Sequence, residues 1–210
     1  MKKEDNKSSE EKVLDAALKE FAEHGYAGAR VDSIAERAKV NKAMIYYHFE
    51  SKEKLYERIL KDITDNIFSQ IRDAAVGEGD PLEVFYSIIN RYMKMLSSFD
   101  GKIFQIMLRE IASGGKHFRK IAIPNLAVPV FSLVEPLIKS AQEQGRMRDV
   151  NPYYTFMQII GGIIFFNIIR IPIEGSALEK TVFKDGYLDE YSENLFKILK
   201  NGLELRDGGL

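Results

Sequence analysis

The sequence reads as an all-α protein, and three observations carry that reading. Apolar residues recur at three- and four-residue spacing through nearly all of its 210 positions. No stretch alternates apolar and polar side chains as a half-buried strand would. Gly, Pro and capping residues divide the chain into pieces of helical length.

The first piece opens at Ser8, with Glu11 three residues on. This is a capping-box pattern, in which serine and glutamate side chains take up free amides at the start of a helix. Val13, Leu14, Ala17, Leu18 and Phe21 follow as an apolar stripe, and Gly25 supplies a stop. Val31, Ile34, Ala35 and Ala38 form the apolar face of a second helix. Ala38-Lys39-Val40 makes a short break, and Asn41 is a suitable N-cap for a third helix. Ile45 and Phe49 mark that helix's buried side, which leaves Lys42, Met44, Tyr46, Tyr47 and His48 pointing outward or sideways. Ser51 caps a further helix that begins at Lys52. Two short helices about a tight turn read as a helix-turn-helix, whose second helix fits a major groove about 12 Å wide.

The helix from Lys52 carries Leu55, Ile59, Ile63, Ile67 and Ile71 at four-residue spacing, with Leu60 and Phe68 alongside. It is expected to end near Val76, before Gly77-Glu78-Gly79, after roughly 35 Å at about 1.5 Å per residue. Asp80-Pro81 with Glu83 opens the next helix, whose stripe is Leu82, Phe85, Ile89, Tyr92, Leu96 and Phe99. After Gly101 a shorter helix carries Ile103, Phe104, Met107, Leu108 and Ile111, and Ser113-Gly114-Gly115 ends it. Pro124, Pro129 and Pro136 imply a broken or bent helix up to Gln144-Gly145. Asn151-Pro152 opens a helix that is apolar nearly all round and is expected to stop at Pro172. Its Thr155, Gln158, Asn167 and the pair Gly161-Gly162 argue for a buried interface helix over a membrane span. A last helix has Leu188, Tyr191, Leu195, Ile198 and Leu199 at near-heptad spacing. Two such helices from each of two chains can close a four-helix bundle, so this pair is expected to form a dimer interface.

Composition narrows the function classes. There is no Cys, hence no disulfide framework and no thiolate zinc site, which fits a reducing cytoplasm. The start, MKKEDNKSSEEK, has no apolar core and reads as a mobile tail over residues 1–8. The net charge of −1 is not that of a strongly basic nucleic-acid binder. Residues 1–58 hold twelve basic and twelve acidic side chains, but Arg30–Lys54 holds six basic against four acidic. Phosphate contact therefore depends on local placement. His24, His48 and His117 lack metal-ligand spacing, and Gly114-Gly-Lys-His117 lacks the parts of a phosphate loop. No nucleophile–base pair stands out, so no catalytic group, metal site or cofactor is expected.

Residues 9–58 resemble the N-terminal domain of the tetracycline-repressor-like (TetR) family of transcription regulators. The resemblance rests on Phe21-Ala-Glu-His-Gly-Tyr26, on Ile34-Ala-Glu-Arg-Ala-Lys-Val40, and on Tyr46-Tyr-His-Phe-Glu-Ser-Lys-Glu-Lys-Leu55. Three departures matter. Ala29-Arg30 stands where the family has Thr or Ser, Lys39 where Gly is usual, and Ala43-Met44 where Gly-Thr is usual. The resemblance implies a helix-turn-helix head over residues 1–51 and a helical ligand-binding and dimerisation domain over 52–210. It implies a homodimeric, ligand-responsive repressor in the cytoplasm that binds a palindromic double-stranded operator and is released by a small, largely apolar inducer. Expected DNA contacts are Arg30, Lys42, Ala43, Met44, Tyr46, Tyr47, His48 and Lys52. Expected ligand-lining residues are Phe68, Phe85, Tyr92, Phe104, Met107, Phe131, Phe156 and Ile160. Gly161, Gly162, Phe165, Leu188, Tyr191, Leu195 and Leu199 are the expected dimer face. The rival reading is an all-α small-molecule binding or catalytic domain with an incidental helix-turn-helix.

Overall fold

The structure is a computed structural model that describes residues 7–76 and 79–205. The expected tail and the Gly77-Glu78 helix stop fall wholly or mostly outside those residues. Among the described residues there is no strand, only an isolated bridge between Met147 and Glu204. The helices are α1 (Ser9–Gly28), α2 (Val31–Ala38), α3 (Lys42–Phe49), α4 (Lys52–Ala75), α5 (Pro81–Ser98) and α6 (Gly101–Ala112). A π-helical segment (Phe118–Ala127) then leads into α7 (Val128–Glu143), followed by α8 (Pro152–Ile173), α9 (Glu179–Val182) and α10 (Tyr187–Leu203). The chain divides into two compact units: one up to Asn66 with Asp100–Leu126, the other Ile67–Phe99 with the chain from Ala127 onward.

In the first unit, α1 packs on α2, α3 and α6. Val13, Ala17, Phe21, Ile34, Ile45, Phe49, Leu55 and Ile59 close one core with Ile106 of α6. Burying one such large apolar side chain is worth roughly 1.5–3 kcal/mol. Both halves of the capping box at Ser8 and Glu11 are formed. Gly25 lies at φ 68°, ψ 175°, so the regular part of α1 breaks there and the chain kinks toward α2.

The face that α6 turns inward differs from the expected stripe. Phe104, Ile106 and Glu110 are buried, whereas Leu108 and Ile111 are 41% and 61% exposed. The reason is polar: Glu110 must point inward to meet four donors, and the helix rotates accordingly.

In the second unit, α5, α7 and α8 pack on one another and α10 lies against α5. Phe85, Ile88, Ile89, Met93, Val134, Ile138 and Ile163 are fully or almost fully buried there. The bend expected from the prolines takes the form of the π-helical segment, with Pro124 inside it and Pro129 in the first turn of α7. α8 runs one residue past Pro172. A proline in the last turn forfeits a hydrogen bond where the helix is ending anyway. The stretches Phe118–Glu143 and Pro152–Ile173 are long and apolar enough to cross a membrane, a test that core helices of soluble proteins also pass. Tyr154, Met157 and Phe165 of α8 are exposed within the chain, so an apolar face is left outward.

Candidate nucleic-acid interface

The local backbone explains how α3 is presented. α2 lacks a side-chain cap at Arg30. The buried carboxylate of Glu20, 2% exposed, takes up the amide of the capping residue itself: its Oε1 accepts from the Arg30 amide at 3.2 Å. Lys39 takes the left-handed conformation, φ 55° and ψ 44°, at the turn position. The turn closes with the Lys39 amide on Glu36 O at 3.1 Å and the Val40 amide on Ala35 O at 3.0 Å. Asn41 then caps α3, its Oδ1 accepting from the Ala43 amide at 2.9 Å. Ile45 and Phe49 anchor α3 in the core.

The outward side of α3 carries the expected contact residues. Tyr47 is 80% exposed, Tyr46 44% and Met44 37%. Lys42 and Ala43 are exposed, and so is Arg30 at the start of α2. Two of the expected basic contacts are already engaged within the chain. The Lys42 ammonium pairs with Asp32 at 2.7 Å, which holds the Asp32 carboxyl below and the Lys42 ammonium above their ordinary ranges. The Lys52 ammonium donates to the carbonyls of Ala29 at 2.7 Å and Ala27 at 3.3 Å, and lies 4.9 Å from the Tyr26 ring centre. Burial lowers its pKa. Lys52 thus ties the α1–α2 link to the start of α4. His48 is half-buried, with Nε2 3.0 Å from Ser9 Oγ.

Of the expected ligand-lining residues, Phe85, Tyr92 and Phe156 are buried and Phe68, Phe131 and Ile160 half-buried in the second unit. Phe104, buried, and Met107, half-buried, belong to the first. A cleft of about 350 Å³ is lined by Asp73, Ala74, Ser87, Asn90, Arg91 and Lys94; none of the eight expected residues contributes to it. On the expected dimer face, Gly161 and Gly162 are exposed, and a Cβ at either would meet nothing within 4 Å. Phe165 is 64% exposed and Leu199 9%; Leu188, Tyr191 and Leu195 are half-buried.

Residues 13–59 match the family model of bacterial regulatory proteins, tetR family. The chain is 27% identical to the HTH-type transcriptional repressor NicS of Pseudomonas putida over 164 residues, 75% of each protein. It is 34% identical over 93 residues to IcaR of Staphylococcus aureus, a negative transcriptional regulator of a biofilm operon. That match takes in 40% of this chain and half the length of IcaR. Residues 13–59 are thus a tetR-family DNA-binding domain. Among solved structures it resembles the regulator FadR of Bacillus subtilis in complex with stearoyl-CoA, with a TM-score of 0.70 and 17% identity over 91% of this chain and 98% of that one. At that identity the likeness concerns the fold. The protein is a DNA-binding transcription regulator, and regulators of the tetR family bind operator DNA as dimers and take small-molecule ligands.

Periodicity missed the polar side chains that brace this tetR head. Arg109 of α6 donates from Nε to Ala22 O at 2.9 Å and from Nη2 to Glu23 O at 2.8 Å, covering the last carbonyls of α1 before its kink. Glu110, 2% exposed, accepts from the Tyr56 hydroxyl at 3.1 Å and from the backbone amides of His117 at 2.6 Å and Phe118 at 3.3 Å. His117 Nδ1 lies 3.2 Å from the same carboxylate. Burial, and then the Glu110 charge, push the Tyr56 hydroxyl pKa upward. Arg37 holds Glu23 through its Nη1 at 2.9 Å and Glu20 through its Nε at 3.3 Å. With His24 these carboxylates form a cluster of ligand-type atoms, within which Arg37 pairs with both glutamates. A glutamate inside a helical stripe looks solvated in sequence, and only its distant partners reveal otherwise.

Proposed function

We propose that this protein is a homodimeric repressor that holds a palindromic operator and releases it when a small, largely apolar molecule binds. The observation that carries the reading is the outward recognition helix, with Tyr47 80% exposed on a core-anchored α3. The relatives NicS and IcaR, both negative regulators by name, support repression over activation. The relatives named are regulators, and the chain is read as a non-enzyme acting in the cytoplasm.

In this reading residues 1–51 bind DNA, and 52–210 bind ligand and dimerise. Tyr46, Tyr47 and Arg30 reach phosphates; Lys42 reaches a phosphate or a guanine edge; Ala43 and Met44 lie against thymine methyls. His48 and Lys52 contribute after exchanging their internal partners. Recognition helices of a two-fold dimer are spaced about 34–36 Å apart, or near a multiple of that. The buried aromatics of α5 and α8 supply the apolar ligand site. Stearoyl-CoA, the ligand of Bacillus subtilis FadR, carries a long apolar chain of the kind such a site would take. Ligand releases DNA only to the extent that it binds the non-operator spacing more tightly than the operator spacing.

The test is fluorescence anisotropy on a duplex selected by the protein from a random pool, read across salt concentrations. A steep fall of affinity with salt and a tenfold or greater loss in the Lys42→Ala/Tyr47→Ala double variant are expected. Equal binding by wild type and the double variant would remove α3 from the interface.

A further inference from the structure

A buried polar atom in an apolar helix is costly unless it is hydrogen-bonded. α8 is apolar over most of its length, yet Asn167 lies in it at 1% exposure. Its Nδ2 donates to the Ile163 carbonyl at 2.9 Å, which fixes the direction of the amide. Oδ1 is left buried without a donor. Arg170, three residues on, is its neighbour along the helix surface. Arg170 is half-buried, and its Nη1 donates to the Tyr187 hydroxyl at 2.8 Å and, at 3.5 Å, to the Ser97 carbonyl. Among the described residues no carboxylate pairs with Arg170, and its Nε and Nη2 have no acceptor. The Ser97 hydroxyl is also buried and without a partner.

Three groups where the C-terminal ends of α5 and α8 meet therefore hold unused hydrogen-bonding capacity. One is a guanidinium with an open edge, one a hydroxyl, and one an amide oxygen that requires a donor. An aromatic wall stands beside them. The Phe166 ring stacks on Tyr191 with centroids 3.7 Å apart and lies 6.1 Å from Tyr187, whose hydroxyl accepts from Arg170.

We propose that Arg170, Asn167 and Ser97 receive the polar end of the inducer: a carboxylate on an apolar body, with a hydroxyl or N–H donor close by. The guanidinium fork matches a carboxylate in two parallel hydrogen bonds. The Asn167 oxygen only accepts, so the ligand must bring a donor to it. The Ser97 hydroxyl serves either role. The inference rests on the ligand-responsive reading above and names the ligand chemistry it lacked.

The experiment uses the full chain without DNA, followed by calorimetry and thermal melting. The probes are 3-hydroxydecanoate and 4-hydroxybenzoate, their methyl esters, and the parent decanoate and benzoate. At least one hydroxy-carboxylate is expected to bind, with its ester at least tenfold weaker. Arg170→Met removes that tenfold preference while leaving ester binding unchanged, and Asn167→Ala removes the advantage of the hydroxy-carboxylate over its parent. If Arg170→Met does not fold, Arg170→Lys keeps the charge without the fork and is expected to lose part of the preference. Equal binding of acid and ester overturns the proposal, as does the absence of binding by every carboxylate, which leaves the orphaned atoms to water. So does an Arg170→Met chain that loses its dimer in sedimentation but keeps carboxylate affinity, because the guanidinium then serves a second copy. A carboxylate that binds as described without moving operator affinity sinks the repressor reading and leaves the site standing.

Discussion

Glu110 is a carboxylate inside the head, surrounded by the Tyr56 hydroxyl, the His117 ring and two backbone amides. Each donor left without an acceptor in such a place costs about 1–3 kcal/mol. Glu110→Ala is therefore expected to destabilise the protein by about 3 kcal/mol in urea unfolding, with Glu110→Gln milder because one acceptor oxygen remains. A loss below about 1 kcal/mol in the alanine variant would show that water satisfies those donors. The exposed pair Lys42–Asp32 is a different case: in solvent such a contact is worth only about 0–1 kcal/mol. It is therefore easily exchanged for a contact with DNA. Lys52 is bound more firmly, by two carbonyls and a ring. A phosphate therefore displaces those partners less readily than it displaces Asp32 from Lys42.

The turn between α2 and α3 is closed by Lys39 in a conformation that suits glycine. A non-glycine residue there carries roughly 1–2 kcal/mol of strain, part of which a glycine regains and part of which the freer unfolded chain takes back. Lys39→Gly is expected to raise thermal stability by at most about 1 kcal/mol, whereas Gly25→Ala, at φ 68° and ψ 175° where essentially only glycine settles, is expected to lower it by roughly 1–3 kcal/mol. The added methyl of Gly25→Ala would meet Arg109 Cδ at 3.6 Å, an ordinary contact, so the loss is conformational. Differential melting of the two variants decides this; a fall in both would mean that the Lys39 side chain itself supports the turn. Much of the helix-turn-helix was legible from Asn41, Ile45, Phe49 and Ser51, because caps and four-residue spacing act within one turn of chain. α6 was not: its inward face is set by Glu110, whose partners lie at residues 56, 117 and 118. Leu108 and Ile111 then face outward despite being apolar.

For the assembly, the outward face of α8 presents Tyr154 at 67%, Met157 at 59% and Phe165 at 64% exposure beside the open Gly161-Gly162 step. A contiguous apolar surface of this kind is unfavourable in water and suits contact with a second copy. Phe165→Asp is expected to shift the protein from dimer to monomer in sedimentation velocity and, with it, to weaken binding to a two-half-site operator more than to a single half-site. A Phe165→Asp chain that remains dimeric would place the interface elsewhere.

The all-α architecture, the recognition helix and the family were readable from residues alone, since they rest on spacing within a turn and on capping chemistry that neighbours complete. The bracing of the head by Arg109 and Glu110, the engagement of Lys42 and Lys52 within the chain, and the orphaned atoms of Asn167 and Ser97 were decided by the tertiary structure. A charged or amide side chain declares its role only through partners that are mostly far off in sequence, and burial alone turns an unpaired polar atom into a demand for one.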